Sequence, residues 1–346
     1  MGEEQMTREQ YEGEISLKEL FLALWRQKLI IISITLIAAI FTGIVSVFFI
    51  SPVYNSRLNI VINMPETYHT RFGDYKLPIT SNVEYINLIT SNDILIETIK
   101  DMDYDPGSVT IEGLRERITI DKTVTTPNVE QNSFIVSVSA NNPEEAKELA
   151  LALFNNYIKF IDVLTIKGAL DHYRGQFNTS LKSLEVSKES TEKILAKNEE
   201  LLAQTPQTID QREVMDEIDS GSNSSEYIIL ENIINTNYIA IEKTIIENKQ
   251  AINSIENSMR VYNEYLNELD IIQEPLDTYY ATGDIKELDD ITVNITETNI
   301  YLPSDPIVPS RKSSPNNAMN IIIGTVLGGM VGVLIALIKE YWIETK

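Results

Sequence analysis

The stretch PSDPIVPSRKSSPNNAMNIIIGTVLGGMVGVLIALI, residues 303–338, decides the fold. From Ala318 to Ile338 it carries no charge, and at about 1.5 Å of rise per residue such a run can cross a bilayer as a helix. Gly324, Gly328 and Gly332 fall four residues apart, so a helix sets them on one face as two overlapping G-x-x-x-G units. Another backbone can approach closely there; the other reading of the same glycines is a small-residue face with no specific partner. Upstream, Pro303, Pro306, Pro309 and Pro315 cannot continue a helix and favour extended geometry. They read as a stiff lead into the membrane, or by composition alone as an ordinary linker.

A second uncharged run spans Leu29 to Ile50. It is too long for a signal-peptide core and has no small-x-small cleavage site before Ser51-Pro52, so it is expected to stay as an anchor. The segment before it is amphipathic from Ile15 to Arg26, with Ser16 as its expected cap and Trp25, Arg26 and Lys28 at the membrane interface. Arg8, Lys18, Arg26 and Lys28 precede this run, which predicts a cytoplasmic N-terminus, and two spans return the C-terminus to the same side. Lys339 and Lys346 agree with that orientation; Arg311 and Lys312, on the outer side, count against it.

Between the runs the pattern is mixed. Tyr54 to Ile62 alternates and reads as a strand leaving the membrane after Pro52; Arg117–Thr125 and Ser133–Ser139 have the same period of two. Ser81–Met102 has helical spacing broken at Ser91-Asn92-Asp93, predicting two short helices. Asn141-Asn142-Pro143-Glu144-Glu145 opens a helix with proline in its first turn, and nothing but Gly168 and Gly175 interrupts a stretch reaching Gln204, as one helix or two. Leu170, Tyr173, Phe177, Leu181 and Leu184 form a core stripe along it, and 205–225 reads as the turn that follows.

The seam after that turn is the most regular in the chain: Ile234, Tyr238, Ile241, Ile245, Asn248, Ile252, Ile255, Met259, Tyr262, Leu266 and Leu269 step by three and four. Asn248 is its one polar member, either a buried residue fixing register or an exposed one on a frayed stripe. The two helical stretches predict an antiparallel hairpin on the order of 60 Å long. Ile291–Tyr301 alternates again and is expected to return as a strand pairing beside the one after Pro52.

Pro303-x-x-Pro306-x-x-Pro309, Arg311-Lys312, Ser314-Pro315 and Gly328-Gly329-Met330-Val331-Gly332 together resemble the proline- and glycine-rich signature of Wzz-type chain-length determinants, the polysaccharide co-polymerases. The N-terminal end is similar too, with Leu20, Leu24, Trp25, Arg26, Pro52 and Tyr54 in the family's order of Leu-rich stretch, basic-flanked span and Pro-x-Tyr strand. The resemblance implies a non-catalytic, two-pass protein of the inner (plasma) membrane. It implies a homo-oligomeric ring that sets the length of O-antigen or a similar surface glycan with a membrane polymerase; a lipid-linked glycan is a candidate further partner, and contact of the arm with it is left open. Two other readings stay open: a membrane activator of a separate cytoplasmic tyrosine kinase in capsule or exopolysaccharide export, and a structural envelope tether.

The net charge of −23 lies almost wholly between the two runs and disfavours nucleic-acid binding. With no cysteine and only His69 and His172 as imidazoles, neither in a metal-ligand spacing, no thiolate or metal site is expected, and no cofactor. No phosphate-cradling motif occurs and the chain ends at Lys346, so no kinase domain is expected. The carboxylate pairs Glu144-Glu145, Glu199-Glu200 and Asp289-Asp290 read as solvated faces, and no enzyme activity is expected.

The expected organisation is an α+β fold in which two transmembrane helices flank an extracytoplasmic small-sheet body with a long antiparallel helical hairpin. Its parts are a cytoplasmic segment 1–28, a first span 29–50, body 51–165, arm 166–275, returning strand and proline segment 276–317, second span 318–338 and tail 339–346.

Overall fold

The computed structural model describes residues 17–105, 107–121, 131–210, 232–282 and 299–343. Two compact units divide the chain, Met1–Asn63 with Ser81–Tyr157 and Ile300–Lys346 in one, and Met64–Thr80 with Ile158–Asn299 in the other. Helices and small sheets are mixed, and the longest elements form a helical hairpin.

In the first unit, α1 (Leu17–Arg26) and α2 (Lys28–Ile44) lead through a π-turn at Val45–Phe49 to β1 (Tyr54–Ile62). After the other unit's ribbon of β2 (Thr67–Thr70) and β3 (Gly73–Lys76) come α3 (Asn82–Asn87), α4 (Asn92–Asp101), α5 (Ile111–Glu116), β4 (Ile118–Ile120) and β5 (Ser133–Ala140). Four strands make one antiparallel sheet in the order β4-β5-β1-β8, with β8 at Ile300–Tyr301. Alternation fixes the register: Leu58 lies opposite Val136 and Ile60 opposite Phe134, all buried, while Arg57 and Asn59 face outward. Ile86, Ile89, Ile94 and Leu95 from the short helices and Leu149, Leu153 and Tyr157 complete this core. Tyr157 Oη donates to the Tyr85 carbonyl at 3.0 Å, and burial raises its pKa.

The returning strand is short. Tyr301 pairs with Val61 and Ile300 with Ile62, beside the strand that follows Pro52; the rest of the alternation, 291–298, lies outside the described residues. So do Ser16, the 122–125 end of the 117–125 strand, 211–225 of the turn and Asp289-Asp290.

The stretch from Pro143 is one helix, α6 (Pro143–Gln204), about 90 Å long by its 62 residues. Its start follows the sequence logic, with the Asn142 side chain accepting from the Glu144 and Glu145 backbone amides at 2.9 and 3.3 Å. Gly168 does not break it, and the space a Cβ would need there is taken by the Tyr75 hydroxyl. The turn after α6 is not irregular throughout: Thr208–Asp210 (β6) pairs with Asn232–Ile234 (β7) before α7 (Thr236–Thr282).

In the second unit α6 and α7 run antiparallel, joined by the ion pairs Arg174–Asp270 at 2.8 Å, Lys188–Glu256 at 2.7 Å and Lys249–Glu199 at 2.9 Å. Leu170, Tyr173 and Phe177 are buried, Leu181 and Leu184 partly so. Every α7 seam residue from Tyr238 to Leu269 is buried or half-buried. Ile234 departs from the expectation: it sits in β7, outside the helix, and is 62% exposed. Nor does α7 end at 275. Pro275 lies inside it and the helix continues to Thr282, because Leu269, Ile272 and Leu276 keep a buried stripe running through the proline. At the hairpin's aromatic end Phe72, in the β2–β3 turn, stands 5.5 Å from Tyr173 and Tyr265 and 5.9 Å from Phe177. Gly73, at φ 120, permits that turn, and its carbonyl accepts from Tyr173 Oη at 2.7 Å.

Candidate functional site: the paired terminal helices and the proline strap

Asn317–Ile338 forms the last helix, α8, followed by a π-turn at Lys339–Ile343. Asn316 caps it, its side chain accepting from Met319 N at 3.2 Å. Three helices are long and apolar enough to cross a membrane by length and composition, Lys28–Phe49, Pro143–Gln204 and Asn317–Trp342. The middle one spends its apolar window inside the fold, 56% buried, against 6% and 22% for the terminal two. The apolar surface left open thus belongs to α2 and α8.

These two helices pack antiparallel, and the glycine face is the seam. Gly324, Gly328, Gly332 and Ala336 are the buried residues of α8. A Cβ at Gly324 would strike the Thr42 side chain, one at Gly328 would strike the Ala38 methyl with Thr35 Cα at 3.2 Å, and one at Gly332 would meet Ile31 Cα at 3.1 Å. The partner of this face is the chain's own first apolar helix. Thr35, Ala38 and Thr42 on α2, with Ser46 in the π-turn after it, mark the small-residue stripe that a spacing search of that run would have found. Gly329 and Met330 lie off the seam: a Cβ at Gly329 would meet Thr35 Oγ1 at an ordinary 3.6 Å, and Met330 is 61% exposed.

Polar groups close both ends of the pair. At one end Arg26 meets Glu340 Oε1 at 3.1 Å, Gln27 Nε2 donates to Glu340 Oε2 at 2.9 Å, and Lys339 donates to Gln27 Oε1 at 3.3 Å. The Glu340 side chain is only 12% exposed, so these donors offset its desolvation. Trp25 is 60% exposed, stacked at 6.4 Å on Phe21 with Lys28 Nζ 4.6 Å from its ring. At the other end Ser46 Oγ donates to Asn317 Oδ1 at 2.9 Å, Asn320 Nδ2 donates to Ser46 Oγ at 2.8 Å, and Lys312 donates to Asn317 Oδ1 at 3.1 Å. Of these, Gln27, Glu340, Ser46, Asn317 and Asn320 were not singled out by sequence reasoning. The signal for Glu340 was an acid two residues past an apolar run that, in the two-span reading, ends on the same side as Arg26.

The proline segment is tied down as an extended strap. Val53 N donates to Ser314 O at 2.9 Å and Ser313 N to Val53 O at 2.7 Å, so the exit from α2 and the approach to α8 share an isolated antiparallel bridge. Further along, Ser56 Oγ donates to Ile307 O at 3.4 Å. Pro306 and Pro315 are buried, Pro309 half-buried and Pro303 exposed; the Ser314–Pro315 peptide is cis. Pro52 is exposed beside the bridge, and Tyr54 begins β1 opposite Ala140.

Asn248 sits elsewhere, in the α7 seam, half-buried with its Nδ2 buried and without a hydrogen-bond partner. The Lys249–Glu199 pair puts Asn198 at about its level on α6. His69 contacts Asp74 at 2.7 Å, and His172 packs against the rings of Tyr75 and Tyr173. Among the described residues no group of three or more His, Asp or Glu could hold a metal ion. What this arrangement does chemically is fasten two apolar helices and the strap between them.

Residues 13–102 match the family model described as "Wzz: Chain length determinant protein". The chain is 32% identical over 149 residues to the capsular polysaccharide biosynthesis protein CpsC of Streptococcus pneumoniae, covering 42% of this chain and 61% of that protein. It is 31% identical over 143 residues to the probable capsular polysaccharide biosynthesis protein YwqC of Bacillus subtilis (strain 168), covering 39% and 52%. The chain thus spans between about half and three-fifths of the length of these curated relatives. Among solved structures it is similar to a full-length bacterial polysaccharide co-polymerase, with a TM-score of 0.41 and 17% identity over 95% of this chain and 100% of that one. A fragment of WzzB from Salmonella Typhimurium gives a TM-score of 0.30 and 12% identity over 76% and 100%. Residues 13–102, where the first apolar helix, the Pro-x-Tyr strand and the short helices of the core fall together, are thus the part of this chain that is similar to the Wzz chain length determinant family.

Proposed function

We propose that the protein is a non-catalytic regulator of surface polysaccharide chain length, spanning the plasma membrane twice through α2 and α8 with both termini cytoplasmic. The observation that carries this reading is the Wzz match over residues 13–102 together with two relatives named for capsular polysaccharide biosynthesis. Those names favour a capsular glycan over O-antigen as the polymer. The topology is supported by the antiparallel pairing of α2 with α8, in which Arg26 and Glu340 meet at one end and Ser46 and Asn317 at the other. Two helices fastened in that sense enter and leave the bilayer on the same side. In this reading the protein works as a homo-oligomer beside a membrane polymerase, whose lipid-linked glycan grows next to the extracytoplasmic body, and it acts by position alone.

The capsular relatives also favour a second reading, a membrane activator of a separate cytoplasmic tyrosine kinase in capsule export. Surface polysaccharide from a deletion strain, resolved on a gel, separates the two. Loss of the modal length with total polymer retained supports the length regulator. Loss of the polymer itself supports the activator, and an unchanged ladder overturns both in favour of a structural tether.

A further inference from the structure

Acidic residues outnumber basic ones 51 to 28 in this chain, so an arginine without a carboxylate partner is against the odds. Arg26, Arg71, Arg115, Arg117, Arg174 and Arg260 each stand within ion-pair distance of a carboxylate. Among the described residues Arg57 and Arg311 have no ion pair, and Lys312, next to Arg311, has only the amide oxygen of Asn317. Arg311 and Lys312 are both exposed, and the backbone that carries them is fastened by the bridge between Ser313, Ser314 and Val53. They stand immediately before α8, the apolar helix whose surface is open for lipid. In the two-span orientation proposed above, on which this inference rests, they lie on the outer flank. Positive charge there opposes the bias that sets the orientation, so it stands at a topological cost.

We propose that Arg311 and Lys312 form a phosphate clamp for the headgroups of anionic glycerophospholipids in the outer leaflet, which holds the proline strap at the bilayer surface. The guanidinium fork suits phosphate oxygens in pairs, and the ammonium adds a point charge beside it. A body as acidic as this one is repelled by an anionic bilayer, and screening over about 8 to 10 Å confines any attraction to groups at the surface itself. The strap supplies those groups. Arg57, the other arginine without an ion pair, stands on the open face of β1, four strand residues or about 13 Å past Val53, and serves as an internal control.

The chain has no cysteine, so Ser310→Cys places a single reporter thiol on the exposed residue beside Arg311. The full-length protein, donor-labelled there and held in nanodiscs, is read by energy transfer to acyl-chain-labelled phosphatidylglycerol or phosphatidylcholine. Expected is preferential transfer to phosphatidylglycerol, about fivefold local enrichment per basic residue at low salt. It falls to the phosphatidylcholine level in Arg311→Gln/Lys312→Gln and persists in Arg57→Gln. Equal transfer to both acceptors in the parent, or enrichment that survives the double substitution, overturns the clamp. Displacement of the labelled lipid by equimolar unlabelled polyprenyl diphosphate overturns the headgroup assignment in favour of a lipid-linked diphosphate. On intact cells a membrane-impermeant maleimide is expected to reach the introduced thiol. Protection of that thiol overturns the orientation, and with it the outer-leaflet assignment, whatever the lipid enrichment shows.

Discussion

Replacing Gly328 with alanine is expected to drive α2 and α8 apart. The added methyl falls on the Ala38 methyl, which has no rotamer to escape into, and lies 3.2 Å from the Thr35 Cα, which is backbone. The helices relieve that overlap by separating, which forfeits dispersion contact along the seam where Gly324 and Gly332 make equally close approaches. Overpacking of this kind costs about 1 to 3 kcal/mol, so a value near 2 weakens the pairing equilibrium roughly thirtyfold. Leucine at 328 costs more. The neighbouring Gly329→Ala costs nothing measurable, since the added methyl would lie 3.6 Å from Thr35 Oγ1, ordinary van der Waals contact. The assay uses the absence of native cysteine: Gly43→Cys with Ile321→Cys introduces two thiols on facing positions, a Cβ at Gly43 lying 3.5 Å from the Ile321 side chain. Mild oxidation in lipid should give a cross-link within one chain, slowed by Gly328→Ala and restored by adding Ala38→Gly, which removes the atom that is struck. Cross-links that join two chains, or a Gly328→Ala rate equal to the parent's, would refute the reasoning.

At Gly175 a methyl would meet nothing within 4 Å, so Gly175→Ala should stabilise α6 by about 1 kcal/mol, read as a raised urea midpoint. Gly168→Ala should destabilise despite the same helix-propensity gain, because its methyl meets Tyr75 Oη at 2.5 Å, and Tyr75→Phe should relieve it. Asn248→Leu should raise the thermal midpoint, by about 1 kcal/mol of stability, since it removes a buried amide nitrogen without a partner; a lowered midpoint counts against that account. Tyr68, its hydroxyl buried without a partner, has its pKa raised by burial and by Asp162 from 10.0 to about 12. The folded state therefore holds that proton where the unfolded chain has lost it, and stability falls as pH rises from 10.0 towards about 12. Tyr68→Phe should flatten part of that alkaline decline in a denaturant series across pH.

Much of this was legible because the relevant periods are local. Glycines four residues apart declare a close-approach face, and alternating Leu58, Ile60 and Ile62 declare a half-buried strand, whatever the partner is. The partner itself was not legible from that face alone. Thr35, Ala38 and Thr42 are small but not glycine, and the match of Thr42 to Gly324 and of Thr35 and Ala38 to Gly328 is a pairing across nearly three hundred residues of chain. Gly168 raised the same difficulty: propensity counts it as a weak point, whereas its vacancy is filled by a hydroxyl from Tyr75. Pro275 reads locally as a stop, yet burial of Leu269, Ile272 and Leu276 carries the helix through it.

The seam and its end clips divide the work between shape and charge. Apolar packing without water gives little preference for one partner over another, so close approach at Gly324, Gly328 and Gly332 sets how near α2 and α8 come, and little else. Sliding one helix by a turn, in the sense that sets Gly328 against Thr42 and Gly332 against Ala38, would still place a glycine opposite a small α2 residue at both positions. It would also carry Glu340 away from Arg26 and Gln27, and Asn317 away from Ser46, leaving those groups unpaired at both ends at once. The polar ends therefore fix the register that the small residues alone leave degenerate. Arg26→Ala with Ser46→Ala should then allow a shifted cross-link, from Gly43→Cys to a cysteine at Thr325 in place of Ile321, that neither single change permits.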